Sequence, residues 1–506
     1  MIRTDRLRHR LVFFLVLSLV LVAGLAVPLA GENDSENILS DLRFEPLVYT
    51  PPAITRSELD CGTMLYEVPD NSLPFFSLTL LFPGGTNAEA IATAGQLQTL
   101  VDLLDRTGAG EQSGEAISEE LAGLGARLSF SASYESWQVS VTALKRDFPR
   151  VMEIVRSKLV EARFREEELR TVRTNLITAI RQRNDEPARV AYRKLEEVLY
   201  PGLRRGYSFQ VADIERIDVP RMQTELSRRL RCNGSYAAVS GDYRDLPVRE
   251  TLNALFAAFP DQVRGPIETE TGDYEAMRAL NRARYANSIV LVNMPVPQTV
   301  IALGGILPAH NHGDFYALQA GNYVLGGGSF NSRLMREIRV KRGLAYYAYS
   351  YNAFGADGGL FISSTATRSE QASESLQLLV NLVSEMANQP IEEGELSLAI
   401  DAILNGFVFQ FDNPSEIAGE ELRFRLHNMP EDYLAGFPTN MRSVTRPEIQ
   451  RVFARYLKPA DLFVVVVGPE QLRAQLEELR RVVVVGPEEA PYASDVSGSG
   501  SLRLLP

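Results

Sequence analysis

The chain has 506 residues, of which 45% are hydrophobic and 23% are charged, and its formal net charge is −12. This length predicts about two to four domains, because a single core rarely grows beyond about 250–300 residues. The acidic balance argues against a nucleic-acid partner, which requires a basic face.

The N-terminus has the pattern of a targeting segment. Arg3, Arg6, Arg8 and Arg10 precede an apolar run, Leu11–Ala26, and small residues follow it. The run is shorter than the roughly 20 residues that span a membrane. We therefore predict that residues 1–30 are a signal peptide, or an anchor if they are not cleaved. The mature chain is then exported, to a bacterial periplasm, and it contacts a membrane only if the segment is retained.

The two cysteines, Cys61 and Cys232, leave two interpretations open. In an oxidising compartment they could form a disulfide, and otherwise they are two separate buried thiols. Neither has the neighbouring cysteine or histidine of a zinc knuckle.

The first half predicts strands that alternate with helices. A strand, Phe75–Phe82, ends at a Pro-Gly-Gly turn, and an apolar 3.6-residue stripe predicts a helix over Thr93–Leu104. The remaining predictions are a helix from the cap Ser113 to Leu124, a hairpin of residues 128–134 and 137–142, helices over 148–199 broken at Pro187, a strand at 235–241 and a helix at 243–259.

The second half repeats this order after a polar, partly helical linker. The predicted strands are 288–294, 299–307, 343–349, 361–365 and 462–468, and the predicted helices are 313–324, 331–342, 369–388 and 392–410. Matching Leu80–Gly85 with Ala302–Gly305 gives a period of roughly 220 residues. We predict an α+β fold of two homologous two-layer sheet-plus-helix domains. Their bounds are 41–260 and 287–486, with a linker at 261–286 and a disordered tail at 487–506.

The stretch Leu325–Ser350 carries the most specific chemical signal. Its glycines, Gly326, Gly327 and Gly328, allow a close backbone approach or a positive φ, although a plain turn between helices is the alternative. A basic helix follows, and a bend at Gly343 separates Arg339 from Tyr346. Both side chains are donors and could point into one cleft to polarise a peptide carbonyl, although a basic helix is often only a solvated face.

This stretch closely resembles the second domain of the insulinase/pitrilysin family of zinc peptidases. Gly326–Gly328, Ser332-Arg333-Leu334 and Arg342-Gly343-Leu344-Ala345-Tyr346 match the family segment, and Arg339 and Tyr346 have its seven-residue spacing. Weaker similarity extends over about residues 42–469. The resemblance implies that Arg339, Tyr346 and the glycine run bind substrate.

The family's zinc motif, H-x-x-E-H, is absent from this chain. By the same resemblance its positions fall on Gln98, Val101 and Asp102, and the distant carboxylate ligand falls on Ala179. All four functional positions are lost. The other candidates, His310 with His312 and Gln98 with Asp102, do not provide three good ligands. We predict no metal and no cofactor in this chain.

Two functions are consistent with these features. In the first, the chain is a zinc-free, non-catalytic subunit of an exported heteromeric peptidase, which binds peptide or unfolded protein while a homologous partner supplies zinc. In the second, it is a structural or peptide-binding relative without a part in hydrolysis, like the family's core subunits in respiratory complexes. Arg339 and Tyr346 would then only pin the turn between helix and strand.

Overall fold

The structure is a computed structural model that describes residues 53–260, 267–270, 272–285, 287–411 and 413–491. The predicted leader, part of the linker and the tail beyond residue 491 lie outside these ranges. The described chain forms two lobes, each with a mixed sheet and a layer of helices, so the predicted α+β class is confirmed.

The N-terminal lobe contains eight strands and eight helices among its described residues. The strands are β1 Thr55–Glu58, β2 Met64–Pro69, β3 Phe75–Pro83, β4 Gly108–Ala109, β5 Arg127–Ala132, β6 Ser136–Leu144, β7 Ala162–Arg163 and β8 Tyr236–Gly241. The helices are α1 Gln96–Arg106, α2 Gly114–Gly123, α3 Phe148–Val160, α4 Glu166–Gln182, α5 Pro187–Leu199, α6 Val211–Glu215, α7 Val219–Arg229 and α8 Val248–Ala257.

The C-terminal lobe follows the same plan. Its helices are α9 Tyr274–Tyr285, α10 Phe315–Asn322, α11 Ala372–Asn388, α12 Glu393–Phe409, α13 Pro414–Leu426, α14 Tyr433–Arg442, α15 Arg446–Tyr456 and α16 Arg473–Glu477. Its strands are β9 Ser288–Asn293, β10 Thr299–Leu307, β11 Ala345–Phe354, β12 Gly359–Thr367, β13 Phe463–Gly468 and β14 Arg481–Val485.

The two six-stranded sheets have corresponding strand orders. One is β1-β2-β8-β3-β6-β5, and the other, read in the matching direction, is β14-β9-β13-β10-β12-β11. The parallel pair β2–β8 corresponds to the parallel pair β9–β13, and β3 occupies the place of β10. This correspondence confirms the predicted duplication.

The lobes exchange one helix each. Helix α5, from the first half of the chain, packs on β10 and β13 of the C-terminal sheet, where Val190 and Leu195 join a buried cluster with Val300 and Val465. A Cβ at Gly304 would lie 2.5 Å from Leu195 Cδ2, so glycine allows the helix to approach the strand closely. Helix α13 covers β2 and β8 of the N-terminal sheet in return. Each sheet is therefore covered on its second face by a helix of the other lobe.

The cysteines pair. Cys61 follows β1, Cys232 precedes β8, and their Cα atoms are 6.0 Å apart in a disulfide. The bond closes a loop of 171 residues within the N-terminal lobe and decides between the two interpretations of the sequence.

Several predicted boundaries were wrong. The helix predicted from Thr93 begins at Gln96, because Gly95 has a φ of +89° and ends the preceding turn. The helix predicted from Tyr243 begins at Val248. Helices α13, α14 and α15 were not predicted at all.

The ends of the predicted linker and tail contact the lobes. Within the linker, α9 packs against α5, and Asn281 Nδ2 donates to the Leu199 carbonyl at 2.8 Å. The start of the predicted tail, residues 487–491, lies along the α4–α5 region, where Lys194 Nζ donates to the Glu489 carbonyl at 2.6 Å. Among the helices of the described residues, none combines the length and apolarity needed to span a bilayer.

Candidate functional site

The glycine run is a point of close packing. Helix α10 continues through a wide π-type turn, Tyr323–Gly327, into Gly328. A Cβ at Gly326 would lie 2.4 Å from the Ser350 amide nitrogen on β11, and none of the three glycines has a positive φ. The sequence left open whether the glycines serve a close backbone approach or a positive φ, and the structure shows the close approach.

The basic helix is shorter and wider than predicted. It begins after Ser332, whose Oγ accepts from the Met335 amide, and its core, Met335–Val340, is a second π-type turn. Gly343, with a φ of +61°, follows three residues after Val340 and ends it. Wide helical turns of this kind occur frequently at functional sites.

Four of the five cations on this helix and its end are neutralised. Arg333 donates to Glu395 with Nε–Oε1 at 2.9 Å, and Arg336 lies 3.6 Å from the same carboxylate. Although burial raises the pKa of Glu395, the bonds from Arg333 hold it below its usual value. Lys341 and Arg342 both pair with Glu337.

Arg339 differs from its neighbours. No carboxylate lies within ion-pair distance of its guanidinium in the described part of the chain, and no hydrogen bond to its side chain is formed there. Instead its Cζ lies 4.7 Å from the Tyr346 ring centroid and 5.1 Å from the Phe330 ring centroid. The guanidinium is held by two cation–π contacts, which leave its N–H groups available.

Tyr346 lies at an irregularity of an edge strand. The register of β11 against β12 shifts between Ala345 and Ala348, and Tyr346 is 74% exposed. Bulges of this type redirect side chains and are common beside active sites. The structure therefore brings the two predicted residues together and adds Phe330, which is 61% exposed and which the sequence analysis missed. Its position two residues after the glycine run was the only local signal.

The degenerate zinc positions lie on α1 and α4. Gln98 Nε2 donates to Asp102 Oδ1 at 2.8 Å, so the two positions of the family's histidines bond to each other. Burial raises the pKa of Asp102 against the effect of this bond. Val101 is 1% exposed and belongs to the lobe's core, and Ala179 presents only a methyl group. Of these four side chains only Asp102 is a usual zinc ligand, and Val101, at the position of the base, cannot accept a proton, so together they do not form a zinc site.

Buried charges nevertheless hold α1 at both ends. Glu89 Oε1 accepts from the Leu97 amide at 2.6 Å, and Arg204 binds its other oxygen, with NH2–Oε2 at 3.1 Å. At the C-terminus, Lys158 Nζ donates to the carbonyls of Leu104, at 2.8 Å, and Thr107, at 2.5 Å. Burial lowers the pKa of Lys158 to about 8. The helix is thus rigidly positioned although its metal ligands are absent.

The three described histidines form no metal site. His310 Nδ1 lies 2.8 Å from His427 Nδ1, and His427 Nε2 lies 2.8 Å from Glu135 Oε2, in a buried row between the lobes. His312 instead accepts from the Asp314 amide at 3.0 Å. Within the ranges that the structure describes, no group of three or more His, Cys, Asp or Glu side chains could hold a metal ion.

Comparisons with known proteins agree with this geometry. The family description "Insulinase (Peptidase family M16)" matches residues 73–209, and "Peptidase M16 inactive domain" matches residues 250–403. An uncharacterized zinc protease of Mycobacterium tuberculosis (strain ATCC 25618 / H37Rv) is 22% identical over 406 residues, which cover 79% of this chain and 90% of the relative.

Two further similarities bear on catalysis and fold. The "non-peptidase homolog YmxG" of Helicobacter pylori is 21% identical over 406 residues, 79% of this chain and 89% of that protein. The crystal structure of a peptidase M16 inactive domain from Pseudomonas fluorescens superposes with a TM-score of 0.69 at 21% identity, covering 82% of this chain and 98% of that one.

These matches together span more than half of the chain, which belongs to the M16 (insulinase) peptidase family. It is a non-catalytic homologue in which the zinc motif is degenerate.

Proposed function

We propose that this chain is the zinc-free subunit of an exported heteromeric M16 peptidase. Arg339 and Tyr346 hold the carbonyl of a peptide substrate while a homologous partner, which carries H-x-x-E-H, supplies the zinc-bound water. A cation and a phenol in this position stabilise the negative charge that develops on the carbonyl oxygen.

The observation that carries the proposal is the unpaired charge of Arg339. If this residue only pinned the turn, its guanidinium would bond to the turn's carbonyls. That role belongs to Arg342, whose NH1 donates to the Glu337 carbonyl at 3.0 Å. The half-buried Arg339 and the exposed Tyr346 remain donors beside the Phe330 ring.

The disulfide supports the export part of the proposal. A paired Cys61 and Cys232 persist in an oxidising compartment and are rare in a reducing cytosol. Mass spectrometry of the native protein should find a chain that lacks about the first 30 residues and contains this bond. A chain with an intact N-terminus and two free thiols would contradict export.

The alternative function is a pseudopeptidase that binds peptides or supports an assembly without hydrolysis. The non-peptidase status in the name of the Helicobacter pylori relative favours it. The two functions differ in whether Arg339 affects turnover.

The experiment is reconstitution. The purified chain should contain no stoichiometric zinc and cleave no peptide, because Gln98, Val101, Asp102 and Ala179 replace the two histidines, the base and the distant carboxylate of the zinc motif. Mixing it with the H-x-x-E-H homologue from the same organism should produce peptidase activity that neither protein shows alone. Zinc-dependent cleavage by this chain alone would refute the proposal, and an inactive stable complex would favour the pseudopeptidase.

A further inference from the structure

A cavity of about 350 Å³ lies within the helical layer of the C-terminal lobe. It is enclosed by α10, α12, α13 and α14 and by Tyr323, the first residue of the turn that carries the glycine run. Seven aromatic side chains line it: Phe315, Tyr323, Phe407, Phe411, Phe424, Tyr433 and Phe437. Protein interiors seldom leave voids of this size, and pockets between helices of this volume are common ligand sites.

The aromatic rings pack against one another around the cavity without filling it. Phe407 stacks on Phe437 with centroids 4.0 Å apart, and Phe424 meets Tyr433 edge-on at 4.7 Å. Such walls present both ring faces, which are electron-rich, and ring edges, which are electron-poor. A flat aromatic group can contact both kinds of surface at once.

One polar group in this wall is available to a ligand. Tyr433 is 6% exposed, and no described protein group forms a hydrogen bond with its hydroxyl. Burial raises the pKa of Tyr433, so the hydroxyl stays protonated and can both donate and accept. A polar atom on a ligand could form a hydrogen bond with it.

The opening of the cavity carries no net charge. Arg423 and Glu420 lie there and pair with each other, with Nε–Oε2 at 3.0 Å. On the opposite side, α12 presents the small residues Ala402 and Gly406. Glycine is a poor choice within a helix, and a Cβ at Gly406 would meet nothing within 4 Å, so the opening stays wide there.

We propose that this cavity binds a neutral aromatic ring that carries one hydroxyl or ring N–H group, of the phenol or indole type. The ring lies among the seven aromatic side chains, and its polar group bonds to the Tyr433 hydroxyl. The source is either a Tyr or Trp side chain of a bound peptide or a free aromatic molecule. The proposal does not depend on the role of Arg339 or on a zinc-bearing partner.

The test uses the full mature chain and calorimetric or NMR titration with 4-methylphenol, and separately with a blocked peptide containing one tyrosine. We expect saturable binding of 4-methylphenol with a dissociation constant at or below the millimolar range. Binding of the peptide as well would assign the ring to a peptide side chain, and binding of 4-methylphenol alone would assign it to a free aromatic molecule.

Two variants locate the site. Gly406→Leu should reduce the affinity at least tenfold because its side chain extends into the opening, whereas Gly394→Leu, at another open glycine of the same helix, should leave it unchanged. Tyr433→Phe should weaken 4-methylphenol but not toluene. No saturable binding, or equal effects of the two glycine variants with unchanged circular dichroism, would overturn the proposal.

Discussion

Arg339 is the one cation of its segment that has no carboxylate partner among the described residues. The cations around it are all committed to Glu395 or Glu337, and only Arg339 is left to two aromatic rings. Surface ion pairs contribute little to stability, about 0–1 kcal/mol. A gain in stability therefore explains this pattern less well than the guanidinium of Arg339 that it leaves without a carboxylate partner.

Phe330 should act as a positioning residue for Arg339. Phe330→Leu removes one cation–π contact, worth about 0.5–1 kcal/mol at an exposed site, and should lower kcat/KM of the reconstituted peptidase about two- to fivefold. Phe330→Trp should retain the activity, because an aromatic face is restored. Equal activity of the Leu and Trp variants would show that the ring does not position the guanidinium.

At the scale of elements, the sequence predicts those helices and strands whose residues have a regular local spacing or a clear cap. Strand β3 and the hairpin β5–β6 alternate with period two, and Ser113 caps α2 by accepting from the Ala116 amide, as predicted. Helix α13 was not predicted, because it packs between the two lobes and contacts several elements. Its apolar residues therefore do not form a one-sided stripe.

The site was partly predictable for the same reason. The spacing of Arg339 and Tyr346 is a local property, and their proximity follows from the bend at Gly343. The contact with Phe330 depends on how the glycine run folds back against β11. Lys158, which binds the C-terminal end of α1, is 54 residues away from Leu104 in sequence. Such long-range contacts leave no local pattern.

Gly326 should be intolerant of a side chain. Gly326→Ala would place a methyl group 2.4 Å from the Ser350 backbone and should reduce the free energy of unfolding by about 1–3 kcal/mol. Urea denaturation measures the change. Gly394→Ala is the control, since it lies in a helix with open space around it and should be neutral or stabilising. Equal stability of the two variants would contradict the close packing.

At the scale of the whole molecule, the exchanged helices α5 and α13 join the two lobes, and a buried polar row lies where the lobes meet. The row is His310, His427 and Glu135, and the charged groups Arg205, Asp357 and Arg423 also act on it. Burial lowers the pKa of His310 to about 3. His310 is therefore neutral where the two lobes meet.

This row should make stability depend on pH. The folded pKa of His310 lies below its unfolded value of about 6.5, so the unfolded chain binds the extra proton between pH 3 and pH 6.5. Stability is then fully present above pH 6.5 and falls with decreasing pH, by at most about 1.4 kcal/mol per pH unit for one proton.

Denaturation by urea between pH 5 and pH 7 measures this slope. His310→Asn should flatten it, because asparagine does not titrate, whereas His312→Asn, at a more exposed histidine two residues away, should leave it unchanged. An unchanged slope in His310→Asn would show that the row does not link protonation to stability.

The measurement that tests the central claim most directly is the turnover of the reconstituted complex with Arg339→Ala, compared with Lys341→Ala on the same segment. Loss of one donor to a developing oxyanion should lower kcat by about 10²–10³-fold while complex formation, followed by size-exclusion chromatography, is unchanged. Lys341→Ala, which removes only an exposed ion pair, should keep full activity. Equal turnover of the two variants would contradict a role for this chain in catalysis.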